Sequence, residues 1–138
     1  MKILAVDLGD ARTGLAICDE GELLAYPVEV IHERSPAKIL EKVAGVARKN
    51  NAAMVIVGHP KNMNNTSGER AKISEEFAAG LREELGLPVE LWDERGTTIA
   101  AHTALNSGTT KGRKKKQVVD AVAATILLES YLARRKSR

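Results

Sequence analysis

Three acidic sites in this 138-residue chain stand where carboxylates could perform chemistry. Asp7 lies near the end of a short apolar run, and the adjacent pair Asp93 and Glu94 follows another. Asp120 lies near the start of a helical pattern, on the same stripe as the apolar residues of that helix. A carboxylate in apolar surroundings is costly unless a metal ion or hydrogen-bond donors compensate it. These acids are therefore candidates for one shared ligand set.

Carboxylates that converge on one crevice repel one another unless cations are present. Oxygen ligands of this kind suit Mg²⁺ or Mn²⁺, which keep waters and bind phosphate oxygens. Two such ions can activate water and stabilise a leaving oxygen at phosphorus. The chain has no CxxC, no HExxH and no convincing nucleophilic triad. Metal-assisted phosphodiester hydrolysis, with two ions, is the chemistry it supports best. For Asp120 alone, a first-turn acid favoured by the helix dipole is the simpler interpretation.

The elements that must position these acids follow from the hydrophobic periodicity. The order is βββαβαβα, with an antiparallel hairpin first and parallel strands added through helical crossovers. Pro27 places the third strand at a sheet edge because it cannot donate to a ladder. The predicted elements after the hairpin are a strand at 23–31, a helix at 36–49, a strand at 52–58, a helix from a capping box at 66–69 to Gly86, a strand at 89–92, a short helix at 98–106 and a helix at 117–135. The length suits one domain, residues 1–138.

Basic residues are concentrated near the C-terminus, although the net charge is only +3. Residues 111–116 carry five cations in six positions, within a predicted basic flexible loop at 107–116, and residues 133–138 carry four in a predicted basic tail. Such local charge is typical of a surface that binds a polyanion. A solvated basic tail is the alternative.

Cys18 is the only cysteine, so no disulfide forms within the chain and a reducing compartment is expected. The apolar run before Asp7 is too short for a signal peptide or a membrane span. We therefore expect a cytoplasmic protein with no membrane partner.

Four groups of residues, in the expected order over positions 7 to 121, give the chain a resemblance to a known family. They are Asp7-Leu8-Gly9 with Arg12 and Gly14, Gly58-His59-Pro60-Lys61-Asn62-Met63 with Gly68, Asp93-Glu94-Arg95 with Thr97-Thr98, and Lys116 with Asp120-Ala121. The chain resembles the YqgF/RuvX family of the ribonuclease H-like superfamily. The resemblance implies a ribonuclease H-like, mixed five-stranded α/β sheet flanked by helices. His59 and Gly96 depart from the family pattern, in which both positions are usually apolar.

The resemblance further implies that Asp7, Asp120 and one acid of the Asp93–Glu94 pair bind the metal, with Glu94 favoured and Asp93 the alternative. Asp7, Glu94 and Asp120 are then the catalytic acids. Two functions are implied: processing of the 5′ end of the small-subunit (16S) ribosomal RNA precursor, and resolution of Holliday junctions in DNA. We rank RNA processing first because the sequence shows no evident dimer interface for a symmetric junction cut. We expect a monomer or weak homodimer.

A set of polar and basic side chains is expected to bind the nucleic acid, either structured RNA or branched DNA, mainly through its phosphates. The set is Arg12, Asn62, Arg95, Thr97, Lys111, Arg113, Lys114, Lys115 and Lys116. Ordinary structural roles remain open for several of them. The arginines can pair with Asp10 or Glu94, the threonine can cap a helix, and the asparagine can form a turn.

Two other classes of function remain open. A D-x-G turn also resembles the first phosphate loop of actin- and hexokinase-like domains, but that fold needs two lobes around its nucleotide. A non-catalytic nucleic-acid-binding module would need only the basic segments.

Overall fold

A computed structural model describes residues 1–59, 68–93 and 112–136, with side chains of the last segment described from residue 122. The described elements follow the predicted order. They are β1 Ile3–Leu8, β2 Arg12–Cys18, β3 Ala25–His32, α1 Pro36–Lys49, β4 Met54–His59, α2 Glu69–Leu85, β5 Val89–Asp93 and α3 Gly112–Lys136.

The five strands form one mixed sheet in the order β3-β2-β1-β4-β5. β1 pairs antiparallel with β2 and parallel with β4, and β4 pairs parallel with β5. The expectation of a central first strand and of parallel first, fourth and fifth strands is confirmed. β3 is an edge strand, as Pro27 predicts, and its pairing with β2 shifts register opposite Leu15 and Ala16.

Side-chain alternation divides the sheet into two apolar layers. Leu4 and Val6 of β1 pack with buried residues of α1 and α2, such as Val43 and Leu81. Ile3 and Ala5 point to the opposite face, where they pack against buried residues of α3. That second layer comprises Ile3, Ala5, Ala16, Cys18, Met54, Ile56, Ala124, Leu127, Leu128, Tyr131 and Leu132. Every second residue of a strand therefore faces the same helices. Residues separated by an even number of positions in one strand are said below to have the same parity.

The turn between β1 and β2 explains one glycine of the opening motif. A Cβ atom at Gly9 would collide with the carbonyl oxygen of Arg12. Only glycine therefore permits the chain to reverse so tightly after β1. Arg12 itself is the first residue of β2 and pairs with His32 rather than lying inside the turn.

Several predicted boundaries are wrong. The final helix was expected at 117–135, but α3 begins at Gly112, so the part of the predicted loop from 112 to 116 is helical. Lysine and arginine are good helix formers, and this propensity outweighs the unfavourable dipole interaction of cations at a helix start. The predicted end of this helix at 135 is nearly correct, since α3 ends at Lys136. Residues 107–111 and 137–138 lie outside the described residues, as does the short helix predicted at 98–106.

The starts of α1 and α2 differ in detail from the sequence expectation. Ser35 and Pro36 occupy the expected N-cap and first helical positions, but the Ser35 side chain makes no capping hydrogen bond. α2 begins at Glu69 with Gly68 as its N-cap, so the capping box predicted from position 66 does not set the start of this helix. Its predicted end is confirmed, since Gly86 has a left-handed conformation with φ of 67°.

In the described part of the chain, no helix combines the length and the apolar character needed to cross a membrane.

Candidate functional site

Asp7 lies at the carboxyl end of the central strand, on the sheet face covered by α3. It has the same parity as Ile3 and Ala5, both of which pack in the α3 layer. Its side chain is half-buried. In an open α/β sheet, ligands bind in the crevice outside the carboxyl ends of the strands. Asp7 therefore lies at the end of the sheet where ligands bind in this topology.

Glycines flank Asp7 on both neighbouring strands. Gly14 of β2 is its register partner, and Gly58 of β4 follows Val57, the partner of Val6. Both glycines are buried and have the parity of the α3 face. Neither glycine places a side chain on the sheet surface beside Asp7. Glycine inside a strand often marks a place where a ligand or another backbone approaches closely, so these two glycines are a sequence signal for a role beside the acid.

Arg12 shares this face. It precedes Gly14 by two residues on β2, so alternation places it on the same side of the sheet as Asp7. Asp7 and Arg12 both take part in interactions within the structure. Asp7 and Arg12, which is predicted to contact phosphate, therefore lie on the same face at the same end of the sheet.

Asp93 lies on the opposite face of the sheet from Asp7. It is the last residue of β5, is the register partner of His59, and has the parity of Val89, which is buried in the layer of α1 and α2. Glu90, in contrast, reaches α3. Strand alternation thus separates Asp93 from Asp7, although both stand at carboxyl ends of parallel strands.

His59 has a structural partner on the α2 side. Its Nε2 lies 2.7 Å from Oε2 of Glu75, and its side chain is largely buried. It is the last residue of β4, and this contact explains how a polar side chain is accommodated at a usually apolar position.

Asp120 lies within α3, in its third turn rather than its first, because the helix begins at Gly112. Stabilisation by the helix dipole therefore explains the presence of Asp120 less well, since the interaction of a charge with the dipole falls off beyond the first turn. Position 120 precedes Ala124 by four residues and Leu127 by seven, and both of these pack on the sheet. By helical periodicity it belongs to the face that covers the sheet.

Other predicted site residues lie outside the described side chains. Arg113, Lys114, Lys115 and Lys116 fall in the first turns of α3, where the structure gives the backbone. Asn62, Glu94, Arg95, Thr97 and Lys111 fall outside the described residues. Within the described part of the chain, no group of three or more acidic, histidine or cysteine side chains is placed to hold a metal. The three-acid set therefore remains a prediction.

A mixed five-stranded sheet in this order, with an acid at the end of its central strand, defines a domain of the ribonuclease H-like class. Known structures agree on the fold. The chain aligns with Thermus thermophilus RuvC, solved in complex with a Holliday junction substrate, with a TM-score of 0.60 and 20% identity over 98% of this chain and 96% of that one.

The family follows from the sequence comparisons. The model of the family described as "RuvX: Holliday junction resolvase" matches residues 1–134, and this protein belongs to that family. A relative from Carboxydothermus hydrogenoformans, named provisionally as a pre-16S rRNA nuclease, is 39% identical over 132 residues, which are 96% of each chain. The fold and family expected from the motifs are confirmed.

The hexokinase-like alternative has a counterpart among known folds. A ROK hexokinase from Thermus thermophilus aligns with a TM-score of 0.51 and 19% identity, over 76% of this chain but only 38% of the hexokinase. The shared part is less than half of that enzyme.

Proposed function

We propose that this protein is a metal-dependent nuclease that hydrolyses phosphodiester bonds in the precursor of 16S ribosomal RNA. The observation that carries the proposal is Asp7, held on the central strand between two glycines and facing the helix that contains Asp120. The RNA substrate is supported by the name of the 39% identical relative, whose match extends over nearly all of both chains. A cytoplasmic location, expected from the single cysteine, belongs to the same proposal.

The donor set fits Mg²⁺ or Mn²⁺. Asp7, Glu94 and Asp120 would hold the ions, because hard divalent cations prefer carboxylate oxygens and water. Glu90 and Trp92 of β5 contact α3, whereas Asp93 has the opposite parity, so we assign the ligand role within this pair to Glu94 rather than to Asp93. When bound, such ions would supply an activated water and neutralise charge on the phosphate.

The residues of the chain have separate tasks in this proposal. Asp7 stands on a strand that is paired on both sides, so its backbone has a defined position before substrate binds. Arg12 on the same face would orient a phosphate by bidentate hydrogen bonds. The cations of 111–116, with Asn62, Arg95 and Thr97, would bind flanking phosphates and contribute affinity rather than sequence selectivity.

Resolution of Holliday junctions is the second candidate function. The description of the matching family supports it. Both functions need the same acids, so the substrate distinguishes them. A resolvase must make two symmetric cuts and therefore acts as a dimer, whereas trimming one RNA end needs one active site.

The test is to incubate the protein and Asp7→Asn with Mn²⁺ and three substrates: ribosomal RNA precursor, a four-way DNA junction and single-stranded DNA. We expect cleavage of the RNA by the wild type, no cleavage by the variant, and unchanged RNA binding by both in EDTA. Preferred cutting of the junction would support the second candidate instead. Full activity of Asp7→Asn, or tight ATP binding without any cleavage, would overturn the nuclease mechanism.

A further inference from the structure

Side chains of β5 and α3 meet in a polar and aromatic cluster beside the candidate site. The hydroxyl of Tyr131 donates to Oε2 of Glu90 at 2.6 Å, and Nε1–H of Trp92 donates to Oγ of Ser130 at 3.2 Å. The rings of Trp92 and Tyr131 meet edge to face with centroids 5.2 Å apart. Two consecutive residues of α3 are thus joined to two alternate residues of β5.

These contacts matter because the backbone provides little other connection between the two elements. Among the described residues, β5 pairs only with β4 at one edge of the sheet, and α3 packs mainly over β1, β2 and β3. Side chains must therefore span the distance from α3 to the end of β5.

Tyr131 is well suited to this task. Its side chain is 2% exposed, and the guanidinium of Arg135 lies 5.8 Å from the centre of its ring. Burial, and then the hydrogen bond to Glu90, raise the pKa of Tyr131 above its ordinary value. The phenol consequently keeps its proton and donates to the carboxylate throughout the neutral range.

We propose that Glu90, Trp92, Ser130 and Tyr131 form a clamp that sets the position of the β5 end, and thus of the acid that follows it, relative to Asp120. This inference rests on the proposed function. Trp92 immediately precedes the Asp93–Glu94 pair, and Tyr131 lies 11 residues, or about 16 Å along the helix, beyond Asp120. The clamp residues are positioning residues, since they would act through the acids and touch no substrate.

Trp92 is the only tryptophan in the chain, so its fluorescence reports on this clamp directly. The experiment titrates Mn²⁺ into full-length protein while Trp92 emission is recorded, for the wild type, Tyr131→Phe, Glu90→Ala and Glu90→Gln. Glu129→Gln is the matched control, because Glu129 is exposed on the same helix. Acrylamide quenching of Trp92 in EDTA serves as a readout that involves no metal. RNA binding in EDTA checks that each variant is folded.

We expect Tyr131→Phe and Glu90→Ala to raise the Mn²⁺ midpoint by about three- to tenfold, less than the about 10- to 100-fold typical of partners that contact a metal ligand directly. Both should also increase acrylamide quenching. Glu90→Gln retains an acceptor for the Tyr131 hydroxyl and should restore values near those of the wild type. The double variant Tyr131→Phe/Glu90→Ala should be no worse than either single change, because the two remove the same interaction.

Equal Mn²⁺ midpoints in all variants, with a normal wild-type response, would overturn the clamp and leave the nuclease proposal intact. A fall in melting temperature without any change in midpoint would assign the cluster a purely structural role and overturn the clamp equally. A wild type that neither responds to Mn²⁺ nor cleaves RNA would overturn the proposed function, and the clamp with it.

Discussion

The two acids at the end of β5 should differ sharply in importance, although they are adjacent in sequence. We predict that Asp7→Asn and Glu94→Gln each lower Mn²⁺-dependent cleavage of RNA precursor by more than about 100-fold, since even partners of metal ligands cost about 10- to 100-fold. Asp93→Asn should be nearly harmless. It lies on the face of α1 and α2, whereas Asp7 lies on the face of α3.

The small effect of Asp93→Asn can be estimated from the sheet. β1 and β5 are separated by β4, which puts Asp7 and Asp93 about 10 Å apart at strand spacings of about 4.8 Å. Unit charges about 10 Å apart interact by about 0.4 kcal/mol in water and about 1.7 kcal/mol at an effective dielectric constant of about 20. Screening at about 0.15 M salt, with a Debye length of about 8 Å, reduces these energies to about 0.1 and about 0.5 kcal/mol. The expected change in rate is therefore at most about twofold.

The assay follows cleavage of end-labelled RNA precursor over a range of Mn²⁺ concentrations. RNA binding in EDTA serves as the folding control, since neutralising an acid should not weaken phosphate contacts. Asp93→Asn is the matched control for Glu94→Gln, because it removes one negative charge at the adjacent position. Loss of activity in Asp93→Asn together with full activity in Glu94→Gln would refute the argument from strand alternation.

Three further predictions concern the rest of the chain. Replacing Lys114–Lys116 by glutamine should weaken RNA binding and reduce the slope of log affinity against log salt by about 2 to 3, as measured by salt titration. Gly45→Ala should stabilise the protein by about 0.5–1 kcal/mol, because Gly45 lies in mid-helix and a Cβ atom there meets nothing within 4 Å. Gly86→Ala should destabilise it by about 1–2 kcal/mol, because the backbone at Gly86 is left-handed. Chemical denaturation measures the free energy of unfolding of both variants. Burial raises the pKa of the Cys18 thiol, so its alkylation in the native state should be slow at neutral pH and should accelerate only as pH rises or the protein unfolds.

The element order and the sheet topology were predictable because they depend on strong, repeated signals. The apolar run of β4, the helical period of α1 and the glycine after α2 each have one simple structural interpretation. Pro27 indicated an edge strand because a missing N–H cannot be compensated inside a sheet.

The sheet face of each acid was harder to predict. A sequence shows that Asp93 follows a strand, but a shift of one residue in where the strand begins moves every side chain to the other face. The structure fixes this parity through the buried Val89 and the contact between Glu90 and Tyr131. The clamp was missed for a related reason, since Trp92 and Tyr131 are 39 residues apart and no local pattern joins them.

The start of α3 shows two physical terms in opposition. Cations in the first turns of a helix oppose its dipole at a cost of about 0.3–1 kcal/mol each, and α3 has no acid in its first turn to offset them. The dipole term therefore disfavours a helix at 112–116, yet helix propensity and the long packed segment beyond Ala123 carry the helix back to Gly112. A bound polyanion would remove the unfavourable term, because its phosphates would neutralise those cations at the positive end of the dipole. The helix that contains Asp120 would then be most stable with nucleic acid bound, which is the state in which the proposed chemistry requires it.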